Sequence, residues 1–169
     1  MSEIENILKW LDPSLFIKTR SVTDFSIVPS IVDQMVNTMK REKCIGLSAN
    51  QIGIDYSVFI LDNGMLRGAG CPLGDDDIFV AINPEVTMAL GEKLVEDCCS
   101  SYPGVATKLM RSPFIVLDCM NTEGERVDFN CPGIAALAVQ HEIDHLQGIT
   151  VFTHSHADKQ REIILMQGT

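Results

Sequence analysis

The run IAALAVQHEIDHLQ, preceded by Pro132 and Gly133 and closed by Gly148, restricts the fold of this chain more than any other segment. Proline and glycine before it and glycine just past its end delimit a helix. Ile134, Leu137, Ala138, His141 and His145 fall at i, i+3, i+4, i+7 and i+11, so they share one stripe. The spacing predicts that both histidines point from an apolar face into the protein. His141-Glu142-Ile143-Asp144-His145 is also an HExxH pattern, in which two imidazoles one turn apart can bind one cation while the intervening glutamate reaches a metal-bound water. The plain alternative is two core histidines beside a surface glutamate. It requires separate hydrogen-bond partners for each ring in an apolar setting, which is costly.

The rest of the chain must cover that helix. Between 29 and 43 the residues Ile31, Val32, Met35, Val36 and Met39 recur at helical spacing, with Pro29 in the first turn. Short segments rich in Val, Ile and Phe at 56–61, 78–82, 94–99 and 114–119, bounded by Gly, Pro, Asn and Asp, read as strands. The stretch 66–77, with three glycines, one proline and three consecutive aspartates, reads as a solvated loop. A strand-rich chain with one buried, chemically loaded helix fits an α+β fold, antiparallel strands packed around a central metal-binding helix, better than a βαβ repeat. At 169 residues the expectation is a single catalytic domain over 1–169.

Charge narrows the partners. Thirteen Lys and Arg against 23 Asp and Glu give a net charge of -10, which disfavours binding to a phosphate backbone, so no nucleic-acid partner is expected. No apolar run is long enough to span a bilayer, and the start MSEIENILKWLDP carries acids where an export signal carries bases. The expected location is the cytoplasm, with no membrane association. Nothing in the sequence fixes an oligomeric state. Six scattered cysteines in such a compartment read mostly as small buried hydrophobes rather than a disulfide framework.

Two histidines leave a catalytic metal site one ligand short, since such zinc sites usually have three protein ligands and an open position. Cys98 and Cys99 are the candidates, and consecutive residues of an extended segment face opposite ways, so one of the pair at most faces the helix. A thiolate with two imidazoles suits zinc or ferrous iron rather than magnesium or calcium.

Three segments together resemble the peptide deformylase family: CIGLSANQ (44–51) its Gly-x-Gly-x-Ala-Ala-x-Gln motif, DCCSSYPG (97–104) its Glu-Gly-Cys-x-Ser motif with the following x-Pro-Gly, and QHEIDHLQG (140–148) its histidine helix, which matches in full. The departures are Cys44 for Gly, Ser48 for Ala, Asp97 for Glu, Cys98 for Gly and Ser100 at a variable position most often Leu. Counting back from Pro103 and Gly104, the resemblance sets Cys99 on the metal ligand, beside His141 and His145. It implies removal of the formyl group from the N-terminal formylmethionine of nascent peptides, with one divalent ion. The family commonly uses ferrous iron; zinc, nickel and cobalt also suit the donors. It further implies Glu142 as proton carrier and Gln51 with the backbone N–H of Ser100 as oxyanion donors. Ile45, Gly46, Tyr102, Leu137 and Ala138 become candidates for lining a methionine pocket, although Leu137 and Ala138 read first as core, Gln51 as a turn cap and Gly46 as a loop glycine. The shorter Asp97 carboxylate is expected to alter ligand orientation, and His154 and His156 are expected to lie in solvent. A zinc peptidase and a silent metal-binding homologue are the competing readings.

Overall fold

The computed structural model describes residues 6–166. Helix α1 spans Val28–Glu42, with Pro29 in its first turn and Lys43 closing it in the left-handed region, its N–H on the Met39 carbonyl. The strands are β1 (Gly46–Ser48), β2 (Val58–Asp62), β3 (Ile78–Leu90), β4 (Lys93–Cys98), β5 (Ala106–Arg111), β6 (Phe114–Met120) and β7 (Arg126–Pro132). Helix α2 (Asn63–Gly68) lies between β2 and β3, and α3 (Gly133–Leu146), α4 (Val151–His154) and α5 (Ala157–Met166) complete the chain. The first, second, third, sixth and seventh strands form one antiparallel sheet in the order β1-β2-β3-β6-β7, while β4 and β5 make a separate antiparallel pair.

Side chains alternate across a strand, and β2 uses both faces. Phe59 and Leu61 pack with Ile115, Leu117 and the α3 residues Ala135, Ala136 and Val139, whereas Val58 and Ile60 pack with Val28, Ile31 and Met35 of α1. The sheet therefore lies between the two helices, as an α+β arrangement around α3. A third cluster, Leu15, Cys99, Tyr102, Val105, Val151 and Ile163, ties α4 and α5 to the segment after β4.

Several sequence expectations are corrected. The strand at 78–82 continues to Leu90, because Pro84 sits at a register shift between Ile82 and Glu85. Proline is tolerated in a sheet at such a bulge, where no ladder hydrogen bond is lost. Asn83 takes a positive φ there and its side chain bonds both the N–H and the carbonyl of Val22. The loop at 66–77 begins inside α2, capped by the Asp62 carboxylate on the Met65 N–H. The expected inward stripe on α3 holds in part: His145 and Ala138 are buried, whereas Ile134 is 44% exposed and Leu137 and His141 are half-buried. Ala135, Ala136 and Val139 pack on the sheet, and Ile134, Leu137, Ala138 and His141 line a cleft. Gly148 stops α3 at φ +74, with the Phe16 carbonyl so close that a Cβ would clash.

Candidate active site

Three elements converge on the cleft side of α3. β1 and the turn Ala49–Ile52 bring Gly46, Ser48 and Gln51; the end of β4 brings Asp97 and Cys99; α3 brings Leu137, Ala138, His141, Glu142 and His145. Between them lies a cleft of about 250 Å³ lined by Ile45, Gly46, Gln51, Cys99, Ser100, Leu137, Ala138, His141 and Glu142. Tyr102 stands apart from this group. It borders an adjoining hollow but is fully buried, its ring edge-on to Trp10 and its hydroxyl on Thr150, so it supports the floor from behind.

The ligand atoms of Cys99, His141 and His145 lie within 4.8 Å of one another. Cys99 Sγ is 3.1 Å from His145 Nε2, and the two rings are edge to face at 4.9 Å. Cys98, one residue away, is exposed. Burial pushes the Cys99 thiol up, but the imidazoles of His145 and His141 outweigh it and bring it well below the ordinary thiol range. His141 Nδ1 meets Asp97 Oδ1 at 2.9 Å, which leaves Nε2 free to face the thiolate side. A thiolate and two imidazoles oriented in this way fit a divalent transition metal, and they do not fit a disulfide or an isolated pair of core histidines.

Behind the donors lies a charge relay that the sequence reading did not find. Buried Arg111 bonds Asp97 Oδ2 at 2.7 Å and Asp144 Oδ2 at 2.6 Å, and Asp144 also meets His154 Nε2 at 2.9 Å. Burial raises the Asp97 carboxyl, yet hydrogen bonds and charge from His141 and Arg111 bring it down to about 2. The shorter carboxylate thus reaches both His141 and Arg111. His154 is not free in solvent, whereas His156 is exposed. The available signal for Arg111 was its place in β5, where Thr107, Leu109 and Arg111 share the inward phase of the alternation.

Glu142 is 4% exposed, and its carboxyl is raised by burial against the lowering effect of His141, His145 and a hydrogen bond from Ser48. The Ser48 hydroxyl lies 2.7 Å from Glu142 Oε2 and 2.9 Å from the Glu142 carbonyl. Gln51 Oε1 accepts the Ser48 N–H at 2.9 Å, and its Nε2 donates to Ser101 Oγ at 3.1 Å and approaches Cys99 Sγ at 3.5 Å. Cys44 is pushed up to about 12, by burial first and the Glu142 charge second, so this thiol stays protonated as a small apolar wall of the cleft.

Gly46 has a steric reason to be glycine. A Cβ there would run into Glu142 Oε1 and come within 2.7 Å of Leu61 Cδ2. Gly46→Ala is expected to displace the Glu142 carboxylate and lower kcat by about tenfold or more, with the metal retained, since misplacing a catalytic group by about 1 Å can cost about 10²-fold. Steady-state kinetics beside metal stoichiometry measure it; an unchanged kcat would mean that Glu142 has another place to go.

An α+β fold that lays one HExxH helix along a cleft, with a thiolate completing the donors, defines a metal-dependent hydrolase. The polypeptide deformylase family model matches residues 4–161. The chain belongs to that family, whose members remove the formyl group from the N-terminal formylmethionine of nascent peptides. Among its relatives, the peptide deformylase of Natranaerobius thermophilus is 36% identical over 142 residues, covering 82% of this chain and 84% of that protein. The peptide deformylase of Halothermothrix orenii is 34% identical over 139 residues, covering 82% and 84%. The crystal structure of a peptide deformylase from Legionella pneumophila superposes with a TM-score of 0.86 at 26% identity, covering 96% of this chain and 92% of that one. Among the described residues no helix is long and apolar enough to cross a membrane.

Proposed function

We propose that Cys99, His141 and His145 hold one divalent cation, ferrous iron in the cell, and that Glu142, Gln51 and the backbone N–H of Ser100 carry the deformylation of formylmethionyl nascent peptides. The observation behind this reading is the meeting of three soft and borderline donor atoms within 4.8 Å beside a buried glutamate on one wall of an apolar cleft. When bound, the cation supplies Lewis-acid charge that acidifies water and polarises the formyl oxygen.

The residues do the rest. Glu142 takes the proton of the attacking water as its oxygen bonds the formyl carbon, then returns that proton to the methionine nitrogen as the C–N bond breaks, leaving formate and a free amine. Gln51 Nε2 turns from Ser101 to donate to the oxyanion, joined by the Ser100 N–H; loss of one such donor costs about 2.7 to 4 kcal/mol in other hydrolases. Asp97, braced by Arg111, holds the His141 ring in one tautomer. Ile45, Gly46, Leu137 and Ala138 form the wall against which the methionine side chain packs, with Tyr102 behind. We assign this activity to one domain over 1–169 acting in the cytoplasm on peptides and, at net charge -10, not on nucleic acid.

The test measures formate released from a short formyl-Met peptide by the metal-loaded protein, with an unformylated peptide as control. Formate in step with new amino termini is the expected result. Internal cleavage of the control would make the protein a peptidase, and no product from either would make it a metal binder without turnover.

A further inference from the structure

One residue touches both side chains to which the chemistry has been assigned. The backbone N–H of Ser48 holds Gln51 Oε1 at 2.9 Å, and its hydroxyl reaches Glu142 Oε2 at 2.7 Å and the Glu142 carbonyl at 2.9 Å. Ser48 has no exposed surface, so no water competes for these bonds. The family motif has alanine at this position, which has the backbone N–H and lacks the hydroxyl. The carboxylate of Glu142 is thereby made asymmetric: Oε2 is tied back to β1, while Oε1 lies against the bare α-carbon of Gly46, on the cleft wall.

We propose that Ser48 is a positioning residue for deformylation, whose hydroxyl anchors Oε2 of Glu142 so that Oε1 alone receives and returns the proton. The inference rests on the reading of Glu142 as the proton carrier. A hydroxyl suits the task because one O–H serves two nearby acceptors, the carboxylate and the helix carbonyl, by a small rotation. Oε2 remains an acceptor when Oε1 is protonated, so the anchor persists through the cycle and the heavy atoms need not move. Without it, the Glu142 side chain keeps its burial but gains torsional freedom about its terminal bonds, and the proton is offered to either oxygen. The thiol of cysteine, close in size but a weak donor, cannot replace the hydroxyl.

The experiment compares wild type, Ser48→Ala, Ser48→Cys and Glu142→Gln, each loaded with one metal per chain. Ser48→Ala and Ser48→Cys are expected to lower kcat about tenfold while leaving KM for a formyl-Met peptide within about twofold and metal stoichiometry unchanged, as loss of a hydrogen bond to a charged, working group should. The infrared spectrum supplies a readout that packing alone does not move. The antisymmetric carboxylate band of Glu142, identified by its disappearance in Glu142→Gln, should shift in both serine variants. A kcat within twofold of wild type, a change in KM alone, loss of metal, or an unshifted band would overturn the proposal. Turnover retained by Glu142→Gln would instead overturn the underlying reading of Glu142, whatever the serine variants do.

Discussion

Glu142→Gln is expected to fold, to hold one metal ion per chain, and to lose at least about 10²-fold in kcat on formyl-Met peptides, the lower end of what a positioned proton-transfer group contributes. The substitution leaves Cys99, His141 and His145 untouched, and the amide has the size and shape of the carboxylate it replaces. Its oxygen can still accept the Ser48 hydroxyl, and its nitrogen fits beside Gly46 where Oε1 now lies. Removing a charge that is only 4% exposed also relieves desolvation, so stability should not fall. What glutamine cannot do is take a proton from water at neutral pH. Burial raises the Glu142 carboxyl above the ordinary carboxylate range, while the neighbouring imidazoles and the Ser48 hydroxyl limit that rise. Pocket substitutions in hydrophobic sites shift discrimination by roughly 10- to 200-fold and act through KM as well. A loss confined to kcat, with KM and metal stoichiometry preserved, therefore separates the proton carrier from a wall residue. Near-normal turnover by a metal-loaded, folded variant would reject the assignment.

The parts of this fold that were legible before the structure are those whose periodicity or spacing is strong. α1 and α3 fall within a residue or two of their expected bounds, because repeated apolar positions and flanking Pro and Gly mark both. β1, β5 and β7 were not read: Gly46–Ser48 is three residues long, while Ala106–Arg111 and Arg126–Pro132 alternate charged or polar residues with few large apolar ones. Their pairing is decided by neighbours such as β2 and β6 rather than by local propensity. α4 and α5 were missed for a similar reason, since Val151 and Ile163 gain meaning only once the cluster with Tyr102 and Val105 exists. The site shows the same division. Glu142 and the histidines stand at fixed helical offsets in one segment, whereas Arg111 reaches Asp97 and Asp144 across 14 and 33 residues, and Ser48 reaches Glu142 across 94. Contacts of that range carry no sequence period, and a motif departure such as Ser48 marks only where to look.

Cys99→Ala is expected to abolish stable metal binding, whereas Cys98→Ala should leave metal stoichiometry at one per chain. The two residues are adjacent, yet the end of β4 turns them to opposite sides, as an extended backbone must. Cys98 closes the ladder opposite Ala106 and is exposed, while Cys99 is 8% exposed with Sγ 3.1 Å from His145 Nε2. Around that sulfur the Ser101 N–H at 3.4 Å and the Gln51 amide at 3.5 Å both point donors inward, an arrangement that favours thiolate over thiol. Burial works against the charge, and His145 and His141 reverse the balance, so thiolate and imidazoles depend on one another. Removing the sulfur leaves two imidazole nitrogen donors and no anionic ligand. The loss should exceed the roughly 10- to 100-fold that follows from disturbing a group behind the ligands. Metal analysis of the purified variants gives the first reading. The second is thermal: a ligand that binds only the folded state raises Tm with its concentration, so added metal should stabilise wild type and Cys98→Ala and leave Cys99→Ala unmoved. Metal retained by Cys99→Ala and lost by Cys98→Ala would place the donor one residue earlier. The buried sulfur beside His145 would then be a packing group, with Cys98 supplying the ligand after a rotation of the strand end.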